Sequence, residues 1–98
     1  MMYEVRFTPS AGQDLKHFGK ADQRLILGAI RDQLLHEPLT ETRNRKCLRP
    51  NPLGRWELRA GDFRVFYDPD PDTRIVSVGA VGIKDHNTLY VRGKVFRL

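Results

Sequence analysis

Trp56-Glu57-Leu58-Arg59-Ala60-Gly61-Asp62-Phe63-Arg64-Val65-Phe66-Tyr67 is the stretch that decides the fold. Trp56, Leu58 and Ala60 alternate with Glu57 and Arg59, and Phe63, Val65 and Tyr67 alternate with Arg64 and Phe66. That period of two belongs to strands with one packed face. Gly61-Asp62 reads as a two-residue turn, which sets Ala60 opposite Phe63, Arg59 opposite Arg64, Glu57 opposite Phe66 and Trp56 opposite Tyr67. The apolar set faces a core. Arg55, Glu57, Arg59, Arg64 and Phe66 then share the other, charged face. Like charges directly opposite each other weaken a ladder, so folding alone does not ask for Arg59 beside Arg64. Arginine forks suit phosphate oxygens. The structural alternative is that Glu57 bridges Arg55 and Arg59 while Arg64 pairs with the acidic turn that follows.

Upstream, residues 2–7 alternate as a strand, ended by Thr8-Pro9. Ser10 with Gln13 has the spacing of a capping box, which predicts a short helix over Ala11–Phe18. A second helix is expected over Ala21–His36, with Ile26, Leu27, Ile30 and Leu34 as its apolar stripe, widened by Leu25 and Leu35, and Pro38 as its stop. From Leu39 to Leu53 no period holds, and the segment reads as a polar, basic loop anchored by Leu48. Downstream, Asp68-Pro69-Asp70-Pro71-Asp72-Thr73 is a rigid acidic turn whose prolines spoil the alternating ligand geometry of a calcium loop. Arg74–Val81 is expected to be a central strand, with Gly79 and Gly82 marking a bulge or a close backbone approach. Val91–Leu98 adds a short last strand. The order predicts an α+β fold: an N-terminal strand, a helical hairpin, then a three- to four-stranded, mainly antiparallel sheet.

At 98 residues the chain has room for one core, so residues 1–98 are expected to form a single domain. No segment has the length of a membrane span, and the first residues lack the order of a signal peptide. With Cys47 as its one cysteine the chain needs no disulfide, and the cytoplasm is the expected compartment. The net charge is +5, and between Arg43 and Arg64 seven basic residues face two acidic ones, an excess equal to that of the whole chain. Such a cluster favours phosphate-bearing or acidic partners, or else serves as a solvated surface. Lys84, Asp85, His86, Asn87, Tyr90, Arg92 and Lys94 form a second polar set. His86 is an acid–base group or merely a loop residue, and Tyr90 stacks on a base or anchors the C-terminal segment. Glycine-rich phosphate loops are missing, and the histidines are too scattered for a zinc site, so no cofactor and no metal are expected. Two-metal phosphodiester cleavage needs clustered carboxylates, whereas RNA carries its own 2′-hydroxyl nucleophile and suits a metal-free reaction.

The pattern from Trp56 to Tyr67, followed by Ile75-Val76-Ser77-Val78-Gly79-Ala80-Val81-Gly82-Ile83-Lys84, resembles the RelE/ParE superfamily of type II toxin–antitoxin toxins. The resemblance covers nearly the whole chain and implies a microbial RNase-like α+β fold. It implies a toxin neutralised by a cognate antitoxin, reaching operator DNA only through the antitoxin complex. RelE-like members cleave mRNA on the ribosome without metal, and that is the activity expected here. The alternatives are a ParE-like inhibitor of DNA gyrase and a non-catalytic nucleic-acid-binding module. Residue by residue, the resemblance implies that Arg64 grips the scissile phosphate, Lys84 protonates the leaving group and Tyr90 orients the substrate. Glu57 stands where the family has a lysine that helps activate the 2′-hydroxyl. A carboxylate is a competent base, and the flanking arginines weaken it by favouring its charged form. Arg55, Arg59, Lys46, Arg49, His86 and Arg92 complete the expected substrate-binding set.

Overall fold

A computed structural model describes residues 2–98 of the protein. The elements run β1 (Glu4–Phe7), α1 (Pro9–Lys16), α2 (Lys20–Leu34), β2 (Arg45–Cys47), β3 (Trp56–Ala60), β4 (Phe63–Asp70), β5 (Ile75–Asp85), β6 (Thr88–Val91) and β7 (Lys94–Phe96). The order of expected elements holds, but the sheet has seven strands rather than three or four. Its path is β2-β3-β4-β5-β6-β7, with β1 paired in parallel to the first half of β5. The extra strands are short. β2 takes three residues out of the expected basic loop, β6 lies almost wholly ahead of the expected last strand, and β7 falls within it.

The Trp56–Tyr67 hairpin has the register read from the sequence, Ala60 opposite Phe63 through Trp56 opposite Tyr67. Gly61 has φ 60° and Asp62 does not share a positive φ, so the turn takes glycine at its first central position, as a type II′ turn requires. β4 runs on to Asp70, two residues past the expected start of the acidic turn. Pro69 falls beyond the reach of β3, where the strand is an edge and tolerates proline. Opposite Phe66 and Tyr67 the pairing slips from Ala80 to Val78, leaving Gly79 as the bulged residue.

Both helices start earlier than the sequence indicates. Thr8, not Ser10, caps α1: its Oγ1 accepts from the Ala11 N–H at 3.1 Å, and Pro9 opens the helix with no N–H to satisfy. On α2, Ile26, Ile30 and Leu34 are buried, whereas Leu25 and Leu27 are exposed. The buried stripe is thus narrower than expected, because only residues four apart meet the sheet. These helices cover Trp56, Leu58, Ala60, Phe63, Val65, Tyr67, Val76, Val78 and Val81. Phe18 and Phe63 meet edge-on at 5.0 Å, and the buried Tyr67 hydroxyl donates to the Pro38 carbonyl at 2.8 Å.

The opposite face is not an open charged surface. Phe66 is wholly buried there in a second apolar cluster with Leu53, Ala80, Leu89 and Val91, flanked by Leu48 and Phe96. The loop before β3 and the β6–β7 hairpin fold over it. Gly82 marks the tight crossing, since a Cβ there would lie 2.5 Å from the Tyr90 carbonyl oxygen.

Candidate functional site

Between that loop and the C-terminal hairpin lies a groove of about 970 Å³. Lys46, Cys47 and Arg49 stand on its loop side, Val95, Phe96 and Arg97 on its hairpin side, with Glu57, Lys84 and Leu89 between them. Glu57 is the one acidic side chain among the described lining residues, and it sits directly opposite Lys46 in the β2–β3 ladder. No ion pair engages it among the described residues, so it does not bridge Arg55 and Arg59. Lys84, half-buried, pairs across with Leu89. Along the sheet Glu57 aligns with Phe66 and Ala80, and Lys84 lies four residues farther on along β5. Strand spacing and rise put the two α-carbons roughly 16 Å apart. Extended side chains from both ends leave room for one phosphodiester between them.

Arg59, Arg64 and Gly82 form the cross-strand row between those two positions. Arg59 is exposed. Arg64 is not the solvent-facing side chain that alternation suggests: only 7% of it is accessible. Its Nη1 donates to the Gly61 carbonyl at 2.8 Å and to the Phe63 carbonyl at 2.9 Å. Its Nε is buried with no partner among the described residues. Burial is the main cause pulling its pKa below the ordinary arginine value; Glu57 and Asp62 oppose that pull, and Arg59 adds to it. An arginine remains a cation through such a shift. Arg64 therefore places a fixed positive charge in the sheet while tying down the β3–β4 turn.

The remaining expected site residues scatter. Arg55 is spent on the β4 side, where its Nε meets Asp68 at 3.1 Å and its Nη2 donates to the Pro69 carbonyl. His86 and Asn87, both with positive φ, make the two-residue turn between β5 and β6. The His86 ring points outward beside Asp85. That short turn sets Tyr90 opposite Ile83, on the face opposite to Lys84 and Leu89. Tyr90 accordingly lines a separate cleft of about 510 Å³ with Ser10, Gln13, His17 and Phe18, not the groove. Arg92 is on that side too, engaged with Asp14. Arg64, Lys84 and Tyr90 thus do not share one pocket.

Arg97 and Cys47 line the groove without having been picked out as site residues from the sequence, and Asn87 of the second polar set joins them. Arg97 is a basic residue next to a short strand, and its charge was the available signal. Asn51 shapes the loop wall: its Oδ1 accepts from the Leu53 and Gly54 amides, and its Nδ2 donates to the Arg49 and Gly54 carbonyls. The Pro50-Asn51-Pro52 run announces such a turn. Arg45 leaves the basic cluster altogether, buried with its guanidinium on Gln33 and the Thr40 carbonyl. Among the described residues no three His, Cys, Asp or Glu side chains converge as metal ligands. Nor is any described helix long and apolar enough to cross a membrane.

Residues 5–87 match the family described as ParE toxin of type II toxin–antitoxin system, parDE. Among solved structures, the toxin–antitoxin complex RelBE2 from Mycobacterium tuberculosis contains a chain 28% identical, with a TM-score of 0.73 over 86% of this chain and 100% of that one. The archaeal RelE–RelB complex from Pyrococcus horikoshii contains one 25% identical, with a TM-score of 0.63 over 80% of this chain and 90% of that one. No curated protein matches the chain.

Proposed function

The chain belongs to the ParE toxin family of type II toxin–antitoxin systems and is structurally related to RelE toxins; from that premise we propose that it cleaves mRNA on the ribosome without metal, in the groove. The observation that supports this most is Glu57, the one acidic side chain of a basic cleft, with Lys46 opposite it and Lys84 beyond. Glu57 takes the proton from a ribose 2′-hydroxyl. The 2′-oxygen attacks phosphorus, the bond to the 5′-oxygen breaks, and the Lys84 ammonium returns a proton to that leaving oxygen. The products are a 2′,3′-cyclic phosphate and a 5′-hydroxyl. Lys46, Arg49 and Arg97 hold the flanking phosphates, with Arg59 beside them. Arg64 supplies positive charge from beneath, its Nη1 held on the Gly61 and Phe63 carbonyls while its Nη2 makes no hydrogen bond among the described residues. Tyr90, Arg92, Arg55 and His86 have no part in this scheme.

A cognate antitoxin is the protein partner, as both structural relatives were solved with theirs. An acidic antitoxin segment in the groove would occlude Lys46, Arg49 and Lys84, and operator DNA would be reached only through that complex. Action on ribosomes places the work in the cytoplasm.

Glu57→Gln is the test. On programmed ribosomes the single-turnover rate should fall about 10²- to 10⁴-fold with binding little changed, the usual contribution of a general base. An undiminished rate, or 3′-hydroxyl product ends, would sink the mechanism. The ParE family match and the placement of Tyr90 outside the groove favour a second reading, inhibition of DNA gyrase by binding. Induction of the toxin alone separates the two. Loss of amino-acid incorporation before any change in supercoiling supports cleavage, and the reverse order supports gyrase.

A further inference from the structure

The proposed chemistry leaves a buried carboxylate unused. Asp14, on α1, has only 3% of its side chain exposed. One carboxylate oxygen accepts from the Val81 N–H at 3.1 Å, and the other accepts from Arg92 Nε at 2.9 Å. Arg92 Nη2 donates in addition to the carbonyl of Gly79, the bulged residue of β5, at 2.9 Å. A single guanidinium therefore ties the β6–β7 turn to a helix and to the bulge. The local backbone resists this choice of residue. Arg92 has φ 55° and Gly93 has φ 73°, a pair of left-handed positions where asparagine or glycine would sit unstrained. Strained backbone persists where surrounding contacts over-determine it, and here the two-pronged side chain is that contact.

The hairpin held in this way is a wall of the groove. Val95, Phe96, Arg97 and Leu98 line the groove, and Leu89 and Val91 cover Phe66. Among the described residues the hairpin is secured within the sheet only by pairing of β6 with Ile83–Asp85 at the end of β5. We propose that Asp14 is a positioning residue for the groove on the opposite face of the sheet, acting through Arg92 to fix the β6–β7 hairpin. The proposal rests on the reading of the groove as the working surface of the toxin. With the pair broken, the sheet order survives while Arg97 and Phe96 lose their fixed station relative to Glu57 and Lys84.

Amide hydrogen exchange on the free, full-length toxin tests this directly, with binding of a fluorescent single-stranded RNA oligonucleotide as the second readout. Arg92→Asn is the leading variant, because it relaxes the turn while removing the tie; Asp14→Asn is its counterpart on α1. In both, exchange in β6 and β7 should quicken by about tenfold, with β3 and β4 unchanged, as for a local opening. RNA affinity should fall alongside. Arg92→Lys should restore part of both properties, and the double variant should be no worse than the more severe single one. Unchanged exchange in β6 and β7, or equal acceleration across β3 and β4, overturns the proposal. Wild-type toxin that neither binds the oligonucleotide nor cleaves mRNA overturns the function of the groove instead, and the exchange data still decide the tie.

Discussion

On one side of the sheet Leu58, Val65, Val76 and Val78 lie wholly buried under Ile26, Ile30 and Leu34 of α2 and their neighbours; on the other, Phe66 and Ala80 are just as buried, but under a loop and a hairpin. Burial is equal and the means differ. A helix brings a prefabricated apolar stripe, with every interior backbone group already bonded. A loop and a short hairpin must be fastened residue by residue, here through Asn51, Asp14 and Arg92. The face covered in this way retains a groove with charged side chains. In this protein the roof built from a loop and a hairpin is the one beside the basic groove.

The strongest way to break that comparison is to empty the smaller cluster. Phe66→Ala should cost about 3–5 kcal/mol, as much as a comparable truncation on the helix side. Denaturant unfolding measures it, and a loss below about 1 kcal/mol would mean that the second face is a loose cover and not a core. Next in size is the buried hydroxyl on the helix side. Tyr67→Phe removes the bond to Pro38 and should cost about 1–2 kcal/mol. Burial pushes the Tyr67 pKa well above its ordinary value of 10.0, with a nearby Arg45 charge opposing. The folded state therefore favours the neutral phenol. That stability is complete below pH 10 and is lost as the pH climbs from there through the raised folded value. Unfolding followed from neutral to alkaline pH should show this loss in the wild type and not in Tyr67→Phe. The smallest effect sharpens the contrast between spent and free arginines. Arg55 is largely exposed and Asp68 partly so, and Arg55→Ala should change stability by at most about 0.5 kcal/mol and leave activity intact.

The helix-covered face was legible because its period is regular. The core set from Trp56 to Tyr67, the hairpin register and the stripe of Ile26, Ile30 and Leu34 all follow from spacing alone. Gly79 and Gly82 likewise announced the bulge and the close crossing. The groove was half legible. Glu57, Lys46, Arg49 and Lys84 were in view as charges, but their meeting depends on the three-residue β2 and on how the last hairpin turns, and neither carries a period. Tyr90 went to the wrong side because two left-handed residues, His86 and Asn87, fix the register of β6, and histidine is a poor herald of such a turn. A sequence shows that an arginine is charged but not whether its charge is consumed internally. Arg45, Arg64 and Arg92 each give theirs to carbonyls or to a carboxylate inside the protein.

The pairing of β1 with β5 sets the order in which this chain can be assembled. Glu4 lies beside Ile75 and Phe7 beside Val78, so the first strand to be synthesised has no neighbour until most of the sequence exists. Contacts so distant along the chain form late, because a long loop must close before they return anything. The hairpins at Gly61-Asp62 and at His86-Asn87 close locally and early, leaving a sheet whose parallel edge and helical cover arrive last. A nascent chain therefore cannot complete its sheet until Ile75–Val78 have been made, and its first strand must wait for about three quarters of the sequence before it has a partner.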